Sequence, residues 1–202
     1  MAGEPAGRIP FLGLTGAIAA GKSEALAALE RCGAATLSSD AVAHELLAGD
    51  ELRDILVERL GARVAPGGVV DRTAVAGEVF ASDEDRAWLE QTLWPRVGER
   101  IGAWYAALTE REPPPVAAIV EVPLLFESGM EQVFDATIAV VADDAVRRER
   151  AGLRDHAGLE ERESRQLGQE EKSQRADYVI RNDGDLGALE AKLSELLATI
   201  GA

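Results

Sequence analysis

A short segment near the start of the chain combines two glycines with a lysine and a serine. Residues 16–23 read GAIAAGKS and match the pattern G-x-x-x-x-G-K-[ST]. In such a loop the backbone N–H groups curl around a phosphate, the lysine reaches the β- and γ-phosphates of a nucleotide, and the serine hydroxyl is offered to Mg²⁺. The pattern predicts a nucleotide-binding loop made of these residues and the next one along the chain: Gly16, Ala17, Ile18, Ala19, Ala20, Gly21, Lys22, Ser23 and Glu24.

Three of these residues differ from what many such loops contain. Ala17 and Ala19 stand where glycine is common. If either position needs a positive φ, alanine costs roughly 1–2 kcal/mol there. Glu24 stands where a hydroxyl residue is common. As the third residue of a helix it suits the positive end of the helix dipole, but it brings negative charge close to bound phosphates.

Apolar runs alternate with helical patterns on both sides of this loop. The run 9–15 precedes the loop and predicts a buried strand, and residues 24–32 carry apolar side chains at helical spacing before Gly33. Further elements are expected as strands at 35–37, 116–127, 136–142 and 178–182, and as an amphipathic helix at 185–200. The alternation predicts βαβ units and an α/β fold with a parallel central sheet.

Two stretches do not follow this alternation. Residues 50–111 are typical of helices, broken by a turn at 65–68 and ended by the stiff connector 110–115. Between residues 143 and 177, 18 of 35 residues are charged. By composition alone this second stretch is expected to form a solvated pair of helices with ion pairs four residues apart.

The composition argues against several classes of protein. With 21 Lys and Arg against 36 Asp and Glu, the formal charge is −15, which disfavours broad nonspecific nucleic-acid binding. The single cysteine, Cys32, allows no internal disulfide, and together with His44 and His156 it leaves too few ligands for a structural zinc site. No apolar run approaches the ~20 residues of a membrane span, and residues 1–10 lack the apolar core of a signal peptide. We expect a soluble, cytoplasmic protein with no nucleic-acid or membrane partner; its oligomeric state stays open.

Other motifs narrow the class of nucleotide-binding protein. The only asparagine, Asn182, lies in RNDG, so the N-K-x-D motif with which GTPases read guanine is absent. The L-S-G-G-Q signature of ABC-type ATPases is absent as well. A small kinase that phosphorylates a metabolite remains.

Several segments in one order then resemble a known family. They are GLTG at 13–16, the GKS of the loop, Asp40 within SSDAVAHELL, VPLLFESG at 122–129, and ADYVI at 176–180 leading to Asn182. From about residue 10 to 197 the chain closely resembles dephospho-coenzyme A kinase. That family transfers the γ-phosphate of ATP to the ribose 3′-hydroxyl of dephospho-coenzyme A, the last step of coenzyme A synthesis.

The resemblance implies a domain organisation and two substrates. It implies one P-loop kinase domain with a three-layer fold, a parallel central sheet, a helical substrate-side lobe at about 50–111 and a lid at about 147–170. ATP and dephospho-coenzyme A are the expected substrates, and Mg²⁺ is the expected cofactor. Another small-metabolite or nucleoside kinase of the P-loop type, or a nucleotide-binding module without turnover, remains an alternative.

The resemblance also implies roles for individual residues. Asp40 accepts or orients the proton of the ribose hydroxyl, although it is also placed to cap a helix or to hold Mg²⁺ through water. Lys22 and Arg150 are expected to act in catalysis. Glu121 is expected to hold a magnesium-bound water together with the Ser23 hydroxyl; for Glu121 the alternative is a solvated carboxylate at a strand end.

Further residues are expected to contact the two substrates. Arg154 and Asn182 are assigned to the nucleotide, and Arg150 to the substrate. Both arginines match lid arginines that the family uses on phosphates, and ordinary surface ion pairs with Glu149 or Glu161 are the alternative. Substrate contacts are expected from Asp40, Arg150 and the segment Pro123, Leu124 and Leu125, for which strand packing is the alternative. The chain departs from the family pattern at Ser38, Trp94 and Glu121, where the family usually has Asp, His and Asp.

Overall fold

Five parallel strands form the centre of the molecule. The structure, a computed structural model, describes residues 8–152 and 166–201. The strands run in the order β2-β3-β1-β4-β5, and every neighbouring pair is parallel. The expected parallel sheet is therefore confirmed. Its strands are β1 (Phe11–Gly16), β2 (Ala35–Ser38), β3 (Ala118–Glu121), β4 (Ala136–Val141) and β5 (Tyr178–Arg181).

Helices fill most of the chain between the strands. Within the described ranges the α-helices are α1 (Lys22–Arg31), α2 (Ser39–Ala48), α3 (Asp50–Leu60), α4 (Arg72–Ala81), α5 (Asp83–Thr109), α6 (Asp144–Gly152), α7 (Gln169–Arg175) and α8 (Leu186–Ile200). Aspartates begin two of them: Asp71 accepts hydrogen bonds from the N–H groups of Thr73 and Ala74, and Asp185 accepts one from Ala188. None of the helices among these residues combines the length and apolar character needed to cross a lipid bilayer.

The chain divides into two compact units. The sheet unit comprises the described residues up to Ser38 and from Tyr105 onward, and the helical unit comprises Ser39–Trp104, so the division falls within α5. The helical unit has its own core, in which the buried stripe of α3 packs near a short 3₁₀ turn at Ala62–Val64. Its buried apolar residues include Leu52, Leu56, Leu60, Val64, Val75 and Val79.

The sheet unit buries both faces of β1. Leu12 and Leu14 point into a core built with α1 and α8, where Leu29 and Leu193 are fully buried. The opposite face carries Phe11, whose ring centroid lies 4.6 Å from that of Tyr105 and 4.8 Å from that of Phe134. Covered on both faces, the central strand reads as an unbroken apolar run, which is why its position was predictable.

Two local expectations need correction. The apolar run 116–127 is not one strand, because β3 ends at Glu121 and the chain then turns, with the Ser128 N–H donating to the Leu124 carbonyl at 3.0 Å. Pro123 has no N–H to continue a ladder, and this favours the turn. The charged stretch does contain two helices, α6 and α7, but it is not wholly solvated: Lys172 on α7 is completely buried.

Candidate active site

Two glycines fix the shape of the loop between β1 and α1. A Cβ on Gly16 would collide with the Val140 carbonyl oxygen of β4, so only glycine lets β1 approach β4 here. Gly21 has a φ of 95°, in the left-handed region, and its open side is occupied by the side-chain amide of Asn182. Both fixed positions of the G-x-x-x-x-G pattern are thus required by the backbone itself.

The two alanines of the loop differ in conformation. Ala19 has a φ of 61° and is the one non-glycine residue with a positive φ within the described ranges. Ala17 is buried, with 6% of its surface exposed, and its carbonyl accepts a hydrogen bond from the Ala20 N–H at 3.2 Å. The strain considered for both positions is therefore present at Ala19 and absent at Ala17.

The beginning of α1 is open toward a ligand. Gly21 is the N-cap and supplies no side-chain hydrogen bond, so the first N–H groups of α1 are free of a side-chain cap. The Lys22 ammonium donates to the carbonyl oxygens of Gly16 at 3.1 Å and Ala17 at 3.2 Å, and the Ser23 side chain is exposed. Uncapped N–H groups, the positive end of a helix dipole and a lysine held against the loop together make a site for an anion.

Asn182 holds this loop from the side of β5. Its side-chain amide donates to the Ala20 carbonyl at 3.0 Å, and its own N–H donates to the Val141 carbonyl at 2.7 Å. Only 4% of Asn182 is exposed. The residue expected to bind the nucleotide therefore also shapes the loop that would hold the phosphates.

A cleft of about 800 Å³ opens beside the loop. Arg150 of α6 lines it and donates from Nη1 to the Asn182 carbonyl oxygen at 3.1 Å. The volume exceeds that of a purine base with its ribose, and the walls are mainly apolar with some polar groups. Other residues lining the cleft are Ala19, Gly21, Glu24, Asn182 and Asp185.

Arg147 is a functional candidate that sequence reasoning missed. Its Nε donates to the Ile18 carbonyl oxygen at 3.0 Å, and its Nη1 lies 3.1 Å from Asp144 Oδ1. Arg147 lies three residues before Arg150 on α6, a spacing that places both side chains on the same face of the helix. That spacing was a signal available in the sequence. Arg154, the other arginine expected to bind phosphate, lies outside the described residues.

Comparison with known proteins identifies the family. A family model described as dephospho-CoA kinase matches residues 10–188, which includes the loop, Arg150 and Asn182. The chain belongs to the dephospho-CoA kinase family. A dephospho-CoA kinase of Deinococcus radiodurans is 39% identical to it over 92% of this chain and 90% of that protein.

Two solved structures are similar to this chain over nearly its whole length. The crystal structure of TT1252 from Thermus thermophilus has a TM-score of 0.77 and 34% identity, and the match covers 96% of this chain and 98% of that one. A dephospho-CoA kinase from Campylobacter jejuni has a TM-score of 0.69 and 26% identity, covering 95% and 96%. The match to these folds extends over nearly the whole chain.

Four of the expected metal and substrate residues lie at the end of β3 and just after it. Glu121 ends β3 half-buried, in register with Leu14 of β1. Pro123 and Leu124 are partly exposed, whereas Leu125 has no exposed surface. Leu125 therefore fits the alternative of strand packing, whereas Pro123 and Leu124 are accessible to a substrate.

Asp40 belongs to the helical unit. It is the second residue of α2, its side chain is exposed, and it follows Ser38, the last residue of β2, by two positions. Asp40 lies in the first turn of α2, where a carboxylate interacts favourably with the helix dipole. An exposed carboxylate directly after the carboxyl end of a parallel strand is placed as ligand-binding residues of α/β folds commonly are.

Proposed function

We propose that this chain transfers the γ-phosphoryl group of ATP to the ribose 3′-hydroxyl of dephospho-coenzyme A, giving coenzyme A and ADP. The observation that carries the proposal is the loop of residues 16–23, which presents uncapped N–H groups and the Lys22 ammonium at the start of α1. Family membership supports the choice of acceptor, because the relatives that match nearly the whole chain are named dephospho-CoA kinase.

The nucleotide is assigned to the sheet unit. Phosphate oxygens take the N–H groups at the start of α1 and draw the Lys22 ammonium away from the carbonyls that it contacts here. The base and ribose take the cleft between the loop and the start of α8, with Arg150 at its edge. Arg147 and Asn182 support this site by holding the Ile18 and Ala20 carbonyls.

The acceptor is assigned to three parts of the chain. Asp40 accepts the proton of the ribose hydroxyl, and the partly exposed Pro123 and Leu124 contact the substrate. The helical segment at about 50–111 is assigned to the substrate side. The segment at about 147–170 is assigned to the lid, and its residues 153–165, including Arg154, lie outside the described residues. These assignments rest on the resemblance of the sequence motifs to the family. We also propose a cytoplasmic location, which rests on the amino-acid composition.

The protein contributes little covalent chemistry to the transfer. The ribose oxygen forms a bond to the γ-phosphorus, the bond from that phosphorus to the β,γ-bridging oxygen breaks, and the hydroxyl proton passes to the Asp40 carboxylate. Lys22 and Arg150 neutralise the charge that spreads over the transferring group. Positioning and charge stabilisation therefore account for most of the rate.

The residues present suit a magnesium ion that is bound mainly through the nucleotide. Ser23 and Glu121 offer hydroxyl and carboxylate oxygens, the donors that a hard cation prefers. Among the described residues no group of three His, Cys, Asp or Glu side chains is placed to hold a metal. Mg²⁺ in nucleotide sites usually keeps several waters and binds phosphate oxygens together with one or two protein oxygens. When bound, Mg²⁺ would neutralise phosphate charge, with Ser23 and Glu121 as its protein contacts.

An ADP-release assay with Mg-ATP and dephospho-coenzyme A tests the proposal. ADP should form only when the acceptor is present, with the new phosphate on the 3′-oxygen as determined by ³¹P NMR. Lys22→Ala should abolish turnover without a change in thermal unfolding, because the ammonium donates to the Gly16 and Ala17 carbonyls of the loop itself. Arg31→Ala is the matched control, since it removes an exposed ion pair with Glu190 from the same helix.

Three outcomes would overturn the proposal. Preferred phosphorylation of a nucleoside would indicate a different small-molecule kinase. ATP binding without turnover on any acceptor would indicate a nucleotide-binding module. Wild-type turnover in Lys22→Ala with unchanged unfolding would remove the role given to the loop.

A further inference from the structure

One lysine of the sheet unit is completely buried. Lys172 lies on α7, and its side chain has no exposed surface. Its ammonium lies 3.1 Å from Glu127 Oε1, and it donates to the Pro123 carbonyl oxygen at 2.5 Å and to Thr15 Oγ1 at 3.4 Å. Burial lowers the pKa of Lys172, and the Glu127 carboxylate acts in the opposite direction. Lys172 is thus held at a position where burial disfavours its charged form.

Stability alone does not explain this buried pair. Removing two ions from water costs several kcal/mol each, and well-packed apolar residues often replace such a pair without loss. The second carboxylate oxygen of Glu127, Oε2, is buried and has no hydrogen-bond partner among the described residues, so its desolvation is not fully compensated. An ammonium offers something that an apolar side chain lacks, namely several N–H donors that fix the groups around it.

The partners of Lys172 belong to three different segments. Pro123 follows the end of β3, and its carbonyl also accepts a hydrogen bond from Thr15 Oγ1 at 3.3 Å. Thr15 is the residue before Gly16, where the phosphate loop begins. Glu127 Oε1 accepts the Leu167 N–H at 2.7 Å, just before α7. The ammonium and carboxylate therefore connect the base of the loop, the turn after β3 and the chain that enters α7.

We propose that Lys172 is a positioning residue, which holds the Pro123 carbonyl against the end of β1 and so sets where Pro123 and Leu124 meet the acceptor substrate. The inference rests on the proposed function, because it takes that turn to be part of the acceptor site. Among the described residues, the Pro123 carbonyl without the ammonium keeps only the 3.3 Å bond from Thr15. A displacement near 1 Å lowers rates about 100-fold when it misplaces a reacting group, so acceptor kinetics should respond most.

Two single substitutions separate positioning from stability. Lys172→Met and Glu127→Gln both break the ion pair, so both should lower the temperature of unfolding. Only Lys172→Met removes the donor to Pro123, whereas Glu127→Gln keeps that donor and an oxygen for Leu167. The double variant has neither buried charge and should unfold closer to the wild-type temperature than Lys172→Met does, which keeps the test usable if that single variant folds poorly.

Steady-state kinetics with each substrate varied in turn give the decisive readout. In Lys172→Met and in the double variant, KM for dephospho-coenzyme A should rise and kcat/KM should fall about ten- to hundredfold, with KM for ATP within about twofold of wild type. Glu127→Gln should keep both KM values close to wild type. Arg175→Met is the matched control on α7, because it removes only an exposed ion pair with Glu171.

Each contrary result has one meaning. Equal acceptor defects in the two single variants, or recovery of acceptor kinetics in the double variant, would make the pair purely structural and overturn the inference. Wild-type acceptor kinetics in Lys172→Met would do the same. A wild-type chain that does not phosphorylate dephospho-coenzyme A at all would overturn the proposed function first, and the inference with it.

Discussion

Replacing Ala19 by glycine should stabilise the protein, and replacing Ala17 by glycine should destabilise it. The two residues lie two positions apart in the same loop and undergo the same chemical change. Ala19 has a φ of 61°, whereas Ala17 is not among the residues with positive φ and buries its methyl group. The two sites therefore differ in backbone conformation and in burial of the methyl group, and both differences predict opposite effects of glycine.

The magnitudes follow from three terms. Relief of the left-handed strain at Ala19 gains roughly 1–2 kcal/mol. Glycine lowers the stability by about 0.5–1 kcal/mol because it makes the unfolded chain more flexible, which leaves a net gain of about 0.5–1 kcal/mol. At Ala17 no strain is relieved, the same entropic loss applies, and removal of a buried methyl costs about 0.8 kcal/mol more. The free energies of unfolding of the two variants should differ by about 2 kcal/mol.

Thermal unfolding followed by circular dichroism measures this difference. In a chain of this size about 1 kcal/mol shifts the midpoint by roughly 2–4 °C, so Ala19→Gly should unfold about 1–4 °C above wild type and Ala17→Gly about 3–7 °C below it. ATP affinity of Ala19→Gly, measured by calorimetry, should equal or exceed that of wild type. A midpoint for Ala19→Gly as low as that for Ala17→Gly would refute the strain argument.

Three further predictions concern polar residues. Asp40→Asn should lower kcat by roughly 10²–10⁴-fold with unchanged ATP affinity, and recovery of rate at high Mg²⁺ would instead indicate a metal role. Asn182→Ala should weaken ATP binding and lower the free energy of unfolding by about 1–3 kcal/mol, because the Ala20 carbonyl loses its buried donor; urea unfolding and calorimetry measure the two effects. The Asp143 N–H lowers the pKa of Asp183, so its stabilisation is present above the unfolded pKa of about 3.9 and is lost as pH falls through the lower folded value. Urea titrations at a series of pH values should therefore show that the free energy of unfolding falls less toward acid pH in Asp183→Asn than in wild type.

The loop and the central sheet were predictable because local constraints dominate there. The glycine spacing, the apolar strand before it and the helical periodicity after it all describe the same segment, and the structure places β1 and α1 around it. The strand expected at 116–127 was too long because apolar character does not mark where a hydrogen-bonded ladder ends. The turn instead depends on Pro123 and on contacts made by Ser128.

Burial of charge was not predictable from composition. The stretch that contains Lys172 is rich in ionic residues, and most helices of that kind face solvent. Lys172 is buried because Glu127, Pro123 and Thr15, all distant in sequence, meet it at one point. The position of Arg147 against Ile18 likewise follows from packing of α6 on the loop, although its spacing from Arg150 hinted at it.

The contact between Asn182 and the phosphate loop joins two segments that are synthesised at different times. During synthesis β1, the loop and α1 emerge early, whereas β5 and α8 follow every other described element along the chain. Until Asn182 arrives, the Ala20 carbonyl lacks its donor and Leu29 lacks the α8 side chains that cover it. The contacts that support the phosphate loop are therefore complete only when the last strand and the last helix are in place.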